Sequence, residues 1–369
     1  MIAPATFRKK LLHWSEANPR YYPWIGEKDP YRIWISEIML QQTRSDQTVA
    51  HFNHFISSFP NLTCLSAATE DEVLFHWKGL GYYSRARNLL RTAKILTQHH
   101  NGVFPKDPQQ LTNFPGIGDY TAAAIASFAY QIPAPVIDGN VIRVYSRMFG
   151  IAYLPVNVDQ KKNWFEIAKK YLDVKSPGIF NQALMNFGAL HCKPRQPLCN
   201  ECPFAEFCHS YLNAHWSEFP VKKQKAPIKN RYFHYVILVN EHQEIAIQQR
   251  RENDVWKSLY ELPLVETDRP KNLLKLDLNK LITHNNKESQ VIKLTKLMEI
   301  VSTLSHQKIH CTFYTTETVS HSIKIKDSIS FVNRENLANF AFPSALMRFL
   351  SRYNTIQHAK QSHSNRQSG

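Results

Sequence analysis

The sequence predicts two domains of different class, an all-α N-terminal domain and an α+β C-terminal domain. The chain has 369 residues, more than one domain usually needs. Apolar residues recur at helical spacing as far as Trp216, and the pattern of a strand begins only after a Pro- and Lys-rich segment. We therefore place the first domain at 1–216, a linker at 217–230, the second domain at 231–353, and a disordered polar tail at 354–369.

Composition limits the possible partners and compartments. The net charge of +15 favours a polyanionic partner over an acidic or neutral one. No apolar run reaches the ~18 residues of a membrane span. The N-terminal ten residues, MIAPATFRKK, lack a signal-peptide core. We therefore expect a cytoplasmic protein with no membrane partner.

The first chemically distinctive helix contains a buried carboxylate. Asp29 and Pro30 form a strong helix start, and the helix is expected to run to about Leu40. Apolar residues cover most of its circumference, and Glu37 lies among them. Burial would raise the pKa of this carboxyl and make it a plausible general acid. The alternative is a Glu that pairs with an arginine or caps a loop.

A tight glycine turn predicts a grip on a phosphate backbone. Gly116 and Gly118 flank one apolar residue, and Asp119 is predicted to N-cap the Ala-rich helix that ends near Tyr130. Backbone N–H groups at such a helix start can bind phosphate, as in a helix-hairpin-helix. About twenty residues later, Asp138 begins the next helix. The alternative is an ordinary glycine turn followed by an ordinary N-cap aspartate.

Two further segments suit contact with nucleic acid. Gln42 follows the Glu37 helix and could reach base edges or enter a base stack. Tyr82 and Tyr83 precede a helix with a basic face, although core packing would also explain the tyrosines. The basic residues of that helix are Arg85, Arg87, Arg91 and Lys94.

Four of the six cysteines predict a metal centre. Cys192, Cys199, Cys202 and Cys208 are separated by six, two and five residues. Zinc is the usual metal for four cysteines, but this single-pass spacing fits a [4Fe–4S] cluster better than paired zinc knuckles.

The second domain is predicted to be mostly strands. Tyr232–Val239 and Ile245–Arg251 read as a hairpin. The other expected strands lie at Leu294–Ser302, Lys308–Thr315 and Ile323–Val332, and the expected helices at Leu273–Ile282 and Ser344–Arg352.

Together, these motifs resemble the MutY-type adenine DNA glycosylases of the helix-hairpin-helix base-excision superfamily, which also holds endonuclease III. The motifs are DPYRIWISEIMLQQT, GLGYYSRARNL, FPGIGDYTAAAIASFAY, VIDGNVIRV, FNQALMNFGALHC and the four cysteines. The resemblance implies a monomeric enzyme, nucleoid-associated when bound to DNA, that excises adenine opposite 8-oxoguanine or guanine in double-stranded DNA. It also implies a [4Fe–4S] cofactor.

The resemblance assigns roles residue by residue. Glu37 would protonate adenine, and Asp138 would stabilise or attack the sugar cation. Asn140 and Tyr120 would support this pair. Three more residues would contact the duplex. Gln182 would contact the adenine, and Gln42 and Tyr82 would insert into the base stack.

The second domain resembles the nudix fold, since Trp256–Pro263 reads WKSLYELP. No acidic nudix helix is present in the sequence, so we expect no pyrophosphate hydrolysis. Ser305 and His306 match two residues of the family's Phe-Ser-His turn, which reads 8-oxoguanine, while Leu304 replaces its Phe. Ile25 also departs from the polar or basic residue common in relatives.

Tyr120 decides between two glycosylase types. Endonuclease III-like proteins carry a lysine there for Schiff-base chemistry. The tyrosine predicts a monofunctional enzyme, and the alternative is an endonuclease III-like bifunctional glycosylase/lyase. A DNA-binding or redox module without catalysis would need neither Glu37 nor Asp138.

Overall fold

The structure is a computed structural model, and it describes residues 2–222, 227–273, 275–277, 291–316 and 329–353. The chain forms two compact units. The first contains Met1–Ala68 and Ser84–Gln224, and the second contains Thr69–Tyr83 and Lys225–Gly369. The domain limits read from the sequence remain a prediction.

The described residues of the first unit form helices and loops and contain no strand, as the sequence predicts. Short 3₁₀ turns lie at Cys199–Glu201, Ala205–Phe207 and Trp216–Glu218. The helices are α1 (Pro4–Ala17), α2 (Pro30–Leu40), α3 (Ser45–Ser58), α4 (Leu62–Ala67), α6 (Ser84–His99), α7 (Pro108–Leu111), α8 (Asp119–Tyr130), α9 (Gly139–Phe149), α10 (Val158–Tyr171), α11 (Pro177–Leu190) and α12 (His209–Leu212), while α5 (Glu70–His76) belongs to the second unit.

Aromatic side chains fill the core between α1, α9, α10 and α11. Phe7, Trp164, Phe180 and Phe187 are fully buried there. Phe7 also stacks on Phe204 with ring centroids 4.8 Å apart. Because Phe204 lies in the cysteine segment, this core fixes that segment against the helices.

Side-chain hydrogen bonds satisfy backbone groups at both ends of helix α2. Asp29 accepts from the backbone N–H of Tyr31 at 2.9 Å, which confirms the predicted start. At the other end, Arg85 donates to the carbonyls of Ile38, Met39 and Gln41. The prediction that Arg85 belongs to an exposed basic face is therefore wrong. The last carbonyls of a helix lack partners within the helix, and a buried guanidinium supplies them.

The second unit contains two sheets. A five-stranded sheet has the order β4-β1-β7-β6-β5, and a three-stranded sheet has the order β3-β2-β8. Strands β1 and β7 are parallel, and the other pairs are antiparallel. The strands are β1 (Lys229–Ile237), β2 (Ile245–Gln249), β3 (Tyr260–Glu261), β4 (Leu264–Thr267), β5 (Lys275–Asp277), β6 (Val291–Thr303), β7 (Gln307–Thr316) and β8 (Ile329–Val332).

Two predictions for this unit need correction. Strands β1 and β2 meet at a polar turn, through an isolated antiparallel bridge between Val239 and Ile245 and a backbone hydrogen bond from Ala246 to Leu238, but they belong to different sheets, so the predicted hairpin is limited to its turn. The predicted helix Leu273–Ile282 contains β5 instead, and its residues 274 and 278–282 lie outside the described ones. Pairing with other strands outweighed the local pattern in both cases.

The other strands and the other helix predicted for the second unit agree with the structure where it describes the residues. A helix, α13 (344–353), covers the predicted Ser344–Arg352. Strand β8 covers the end of the predicted strand Ile323–Val332. Residues 323–328 and the predicted tail lie outside the described residues.

Among the residues described, no helix is both long and apolar enough to cross a membrane.

Residues 69–83 are held within the second unit by side-chain hydrogen bonds. The carboxylate of Asp71 accepts from Gln249 at 2.8 Å and from the hydroxyl of Tyr260 at 2.9 Å. Lys78 Nζ donates to the carbonyl of Ala338 at 2.6 Å. The turn that carries Tyr82 is therefore anchored to the C-terminal strands of the same unit.

Candidate active site

Glu37 is a buried carboxyl that bonds to a tyrosine hydroxyl. Glu37 is only 4% exposed, and the hydroxyl of Tyr120 donates a hydrogen bond to Glu37 Oε2. Burial raises the pKa of Glu37 to about 7, the charge of Asp138 adds to the rise, and the Tyr120 bond opposes it. Near neutral pH, Glu37 can therefore carry a proton and release it.

Asp138 is a second carboxyl, with an environment of its own. It is the N-cap of α9, where Oδ1 accepts from the N–H of Val141 at 2.7 Å and Oδ2 accepts from Asn140 Nδ2 at 2.6 Å. Burial raises its pKa overall, and these donors, which favour the ionised form, only partly offset that rise. Asp138 therefore has two N–H donors directed at its carboxylate, whereas the Glu37 carboxyl accepts from a tyrosine hydroxyl.

Arg143 fixes Asn140. Its Nη2 donates to Asn140 Oδ1 at 2.9 Å and to the carbonyl of Gly188 at 2.8 Å, and its Nε donates to the carbonyl of Cys192 at 2.8 Å. A Cβ on Gly188 would lie 2.6 Å from Asn140 Cβ. Nothing in the sequence indicates this role for Arg143, because the carbonyls of Gly188 and Cys192 that it binds lie more than forty residues along the chain.

The glycine turn has the predicted backbone but a different cap. Gly116 has φ +82°, and an added Cβ would lie 2.9 Å from Asn88 Cβ, so a side chain is excluded there. The prediction that Asp119 N-caps α8 is wrong. The N-cap is Gly118, and Asp119 Oδ2 instead lies 3.1 Å from Lys161 Nζ.

Gln42 and Tyr82 both have left-handed backbones, with φ of 59° and 47°. Non-glycine residues rarely adopt this conformation, which costs free energy and is concentrated at functional positions. Gln42 is exposed, and Tyr82 is 46% exposed. Each side chain is therefore presented on the surface of its own unit.

Ser305 and His306 lie exposed in the turn between β6 and β7. The hydroxyl of Tyr82 and Ser305 Oγ are 2.7 Å apart, within hydrogen-bond distance. The Leu304 N–H closes the turn on the carbonyl of Gln307 at 2.8 Å. Two side chains that sequence reasoning placed separately against DNA thus contact each other in the second unit.

Gln182 is oriented by a residue that sequence reasoning missed. Its Nε2 donates to Asn186 Oδ1 at 3.2 Å, and Arg20 Nη1 lies 3.5 Å from the same oxygen. Because an arginine can only donate, that atom of Asn186 must be the oxygen. The amide nitrogen of Gln182 is therefore the end that faces Asn186.

The four cysteines of the predicted cluster line one cavity. Burial raises the pKa of Cys202 to about 12, and the other three thiols add to the rise. Arg147 lines the same cavity, is 3% exposed and donates to Cys192 Sγ at 3.4 Å. Within the described residues, no group of three or more His, Cys, Asp or Glu side chains is arranged to hold a metal ion.

The cavity has polar groups that suit a sulfur cluster. Ser210 Oγ and His191 Nε2 are buried without a hydrogen-bond partner, and both residues line the cavity. Buried polar atoms usually have partners, and the sulfurs of a cluster can accept hydrogen bonds. The cysteines, the buried cation of Arg147 and these two groups together fit an anionic iron–sulfur group.

Comparison with known proteins identifies both parts of the chain. Residues 35–169 match the family described as "HhH-GPD superfamily base excision DNA repair protein", and residues 234–352 match "NUDIX domain". The chain is similar in fold to a thermostable thymine-DNA glycosylase, with TM-score 0.53, 27% identity and coverage of 57% of this chain and 97% of that one.

Curated relatives cover more of the chain. Adenine DNA glycosylases of two Buchnera aphidicola subspecies are 37% and 34% identical, over 71% and 84% of this chain and 75% and 84% of theirs. The human adenine DNA glycosylase is 36% identical over 55% of this chain and 39% of its own length. Relatives of this similarity and coverage, together with both domain matches, place this chain in the adenine DNA glycosylase family.

Proposed function

We propose that this chain is a monofunctional DNA glycosylase that removes adenine mispaired with 8-oxoguanine or guanine by hydrolysing the N-glycosidic bond. The observation that carries the proposal is the pair of buried carboxyls, Glu37 with a pKa raised to about 7 and Asp138 with two hydrogen-bond donors on its carboxylate. Cleavage of a glycosidic bond uses one carboxylic acid and one carboxylate in this way.

Glu37 would act as the general acid. Adenine is a poor leaving group because it departs with the electron pair of the N-glycosidic bond. Transfer of the Glu37 proton to the base lets it leave as a neutral molecule. Tyr120 holds the Glu37 carboxyl in place, and Glu37 itself is buried away from bulk water.

Asp138 would stabilise the positive charge that develops on the sugar. Asn140 and the N–H of Val141 keep its carboxylate oriented, and Arg143 keeps Asn140 oriented. Water then adds to the sugar and gives up a proton, which completes hydrolysis and leaves an abasic site. Preorganised charges of this kind contribute more in a dry site than they would in water.

Tyr120 supports hydrolysis without strand cleavage. A lyase needs an amine that forms a Schiff base with the sugar. The position that holds the lysine in endonuclease III-like proteins is occupied here by a phenol bonded to Glu37.

The DNA contacts divide into three groups. Gly116 and Gly118 would hold the phosphate backbone through N–H groups at the start of α8. Gln42 and Tyr82 would enter the stack, which offsets the few kcal/mol that flipping the target nucleotide costs. Gln182 would contact the flipped adenine.

The partner base would be read by Ser305 and His306. Adenine is an undamaged base, so safe excision requires that its partner be recognised. A hydroxyl and an imidazole can bond to the altered edge of 8-oxoguanine. The 2.7 Å contact between Tyr82 and Ser305 supports this role, since Ser305 then lies beside a residue that is expected to enter the stack.

A [4Fe–4S] cluster would be held by Cys192, Cys199, Cys202 and Cys208. When bound, such a cluster cross-links the cysteine segment and contributes to its folding. Arg147 would bind beside it, with its Nη1 already directed at Cys192 Sγ.

The test is a single-turnover assay on duplexes with adenine opposite 8-oxoguanine, guanine or thymine. Adenine release is expected opposite the first two and not opposite thymine. Glu37→Gln should lower the rate by orders of magnitude while leaving duplex binding intact. Release of thymine glycol in place of adenine would refute the proposal in favour of an endonuclease III-like enzyme.

A further inference from the structure

The phosphate-binding turn carries an unfavourable charge. Asp119 directly follows Gly118 and is the first residue of α8, with a side chain 78% exposed. A carboxylate in the first turn stabilises a helix. It also repels the phosphate that the same N–H groups would bind, because both anions occupy the positive end of one helix.

Lys161 is placed to cancel this charge. Its Nζ lies 3.1 Å from Asp119 Oδ2, although the two residues belong to different helices, α8 and α10. Both residues line one cleft of about 840 Å³ together with Gly118, Tyr120 and Lys162. The ion pair therefore lies beside the turn that is proposed to hold DNA and the tyrosine that bonds to the catalytic acid.

We propose that Lys161 is a positioning residue for DNA, which holds the carboxylate of Asp119 in an ion pair and thereby lets the turn accept a phosphate. The proposal rests on the proposed binding of the DNA backbone by this turn. Exposed ion pairs contribute little to stability. The effect of the pair should therefore appear in DNA affinity, where a phosphate a few ångströms away would sense an uncompensated carboxylate.

The test is a double-mutant cycle on binding of an undamaged duplex at low salt. Lys161→Ala should weaken binding roughly fivefold, since it exposes one like charge close to a phosphate. Asp119→Asn alone should change binding less than about twofold, and the double variant should return close to wild type. Lys161→Arg keeps the ion pair and should bind as the wild type does.

Lys162→Ala is the matched control, because Lys162 lines the same cleft one residue further along. Asp119→Asn should have the same small effect in the Lys162→Ala background as in the wild type. The Lys161→Ala defect should also shrink at high salt, where exposed charges are screened.

Failure of the double variant to recover would overturn the proposal and make Lys161 a direct phosphate contact. An unchanged affinity of Lys161→Ala would overturn it as well. Adenine release by the wild type is measured separately. If the cycle shows the coupling but no adenine is released, the proposed function fails and this proposal stands. If adenine is released but the cycle shows no coupling, the proposed function stands and this proposal fails.

Discussion

Replacing Glu37 with Gln should stabilise the protein at pH 8 much more than at pH 5. A carboxyl with a pKa raised from 4.5 to about 7 binds its proton more tightly in the folded chain than in the unfolded one. Stability is therefore lost as the pH rises from 4.5 through 7, and the loss is complete above 7. Gln can still accept the hydrogen bond of Tyr120 but never ionises.

The magnitude follows from the pKa difference. Each pKa unit corresponds to about 1.36 kcal/mol, so ionised Glu37 costs roughly 3 kcal/mol above pH 8 and well under half of that at pH 5. In a unit of this size, 1 kcal/mol shifts Tm by about 2–4 °C. The gap in Tm between Glu37→Gln and wild type should widen by about 5–10 °C between pH 5 and pH 8.

The assay is thermal unfolding of both proteins at pH 5, 6.5 and 8 at one salt concentration, so that other titrations cancel in the difference. Glu27→Gln is a control of opposite sign. Burial tends to raise the pKa of Glu27, but hydrogen bonds from the Asp29 and Lys28 backbones and from Arg32 lower it overall. Its replacement should destabilise the protein above pH 4.5. A Tm gap for Glu37→Gln that stays constant with pH would refute the buried, neutral acid.

Three further outcomes test other parts of the site. Tyr120→Lys should give a borohydride-trapped complex with DNA that the wild type gives weakly or not at all, and strong trapping by the wild type would assign lyase chemistry to another lysine. Cys64→Ser and Cys311→Ser should keep about four irons per chain, whereas stoichiometric zinc in anaerobically purified wild type would contradict the cluster. Ser305→Ala should reduce the preference for 8-oxoguanine over guanine by about one to two decades. Tyr82→Phe removes the hydrogen bond between Tyr82 and Ser305 and should reduce the preference by less. An equal preference in the wild type and both variants would show that Ser305 does not read the partner base.

Local signals were enough to predict the helical part of the fold. Asp29 and Pro30 mark the start of α2 because capping and the fixed φ of proline act within one turn. The six ordered motifs identify the family from short segments, and the comparisons confirm that assignment. The spacing of the cysteines predicts that they lie together, and in the structure all four line one cavity.

Pairing between distant segments was beyond the reach of the sequence. Arg85 looks like an exposed cation by its spacing, but it is buried because α2 ends with carbonyls that need donors. Strands β1 and β2 look like a hairpin, but they belong to different sheets, where β1 pairs with β4 and β7 and β2 pairs with β3 and β8. The side chain of Asp119 binds Lys161 instead of capping its own helix.

The sequence by itself determined the family, the helical class of the first unit and the two carboxyls on which the proposed chemistry depends. Only the tertiary structure decided how those carboxyls differ. Burial raises the pKa of both, that of Glu37 to about 7, but Asp138 also receives hydrogen bonds from Asn140 and the N–H of Val141 that favour its charge. The physical reason is that a side chain's identity is local, but its pKa depends on desolvation and on partners that folding brings to it.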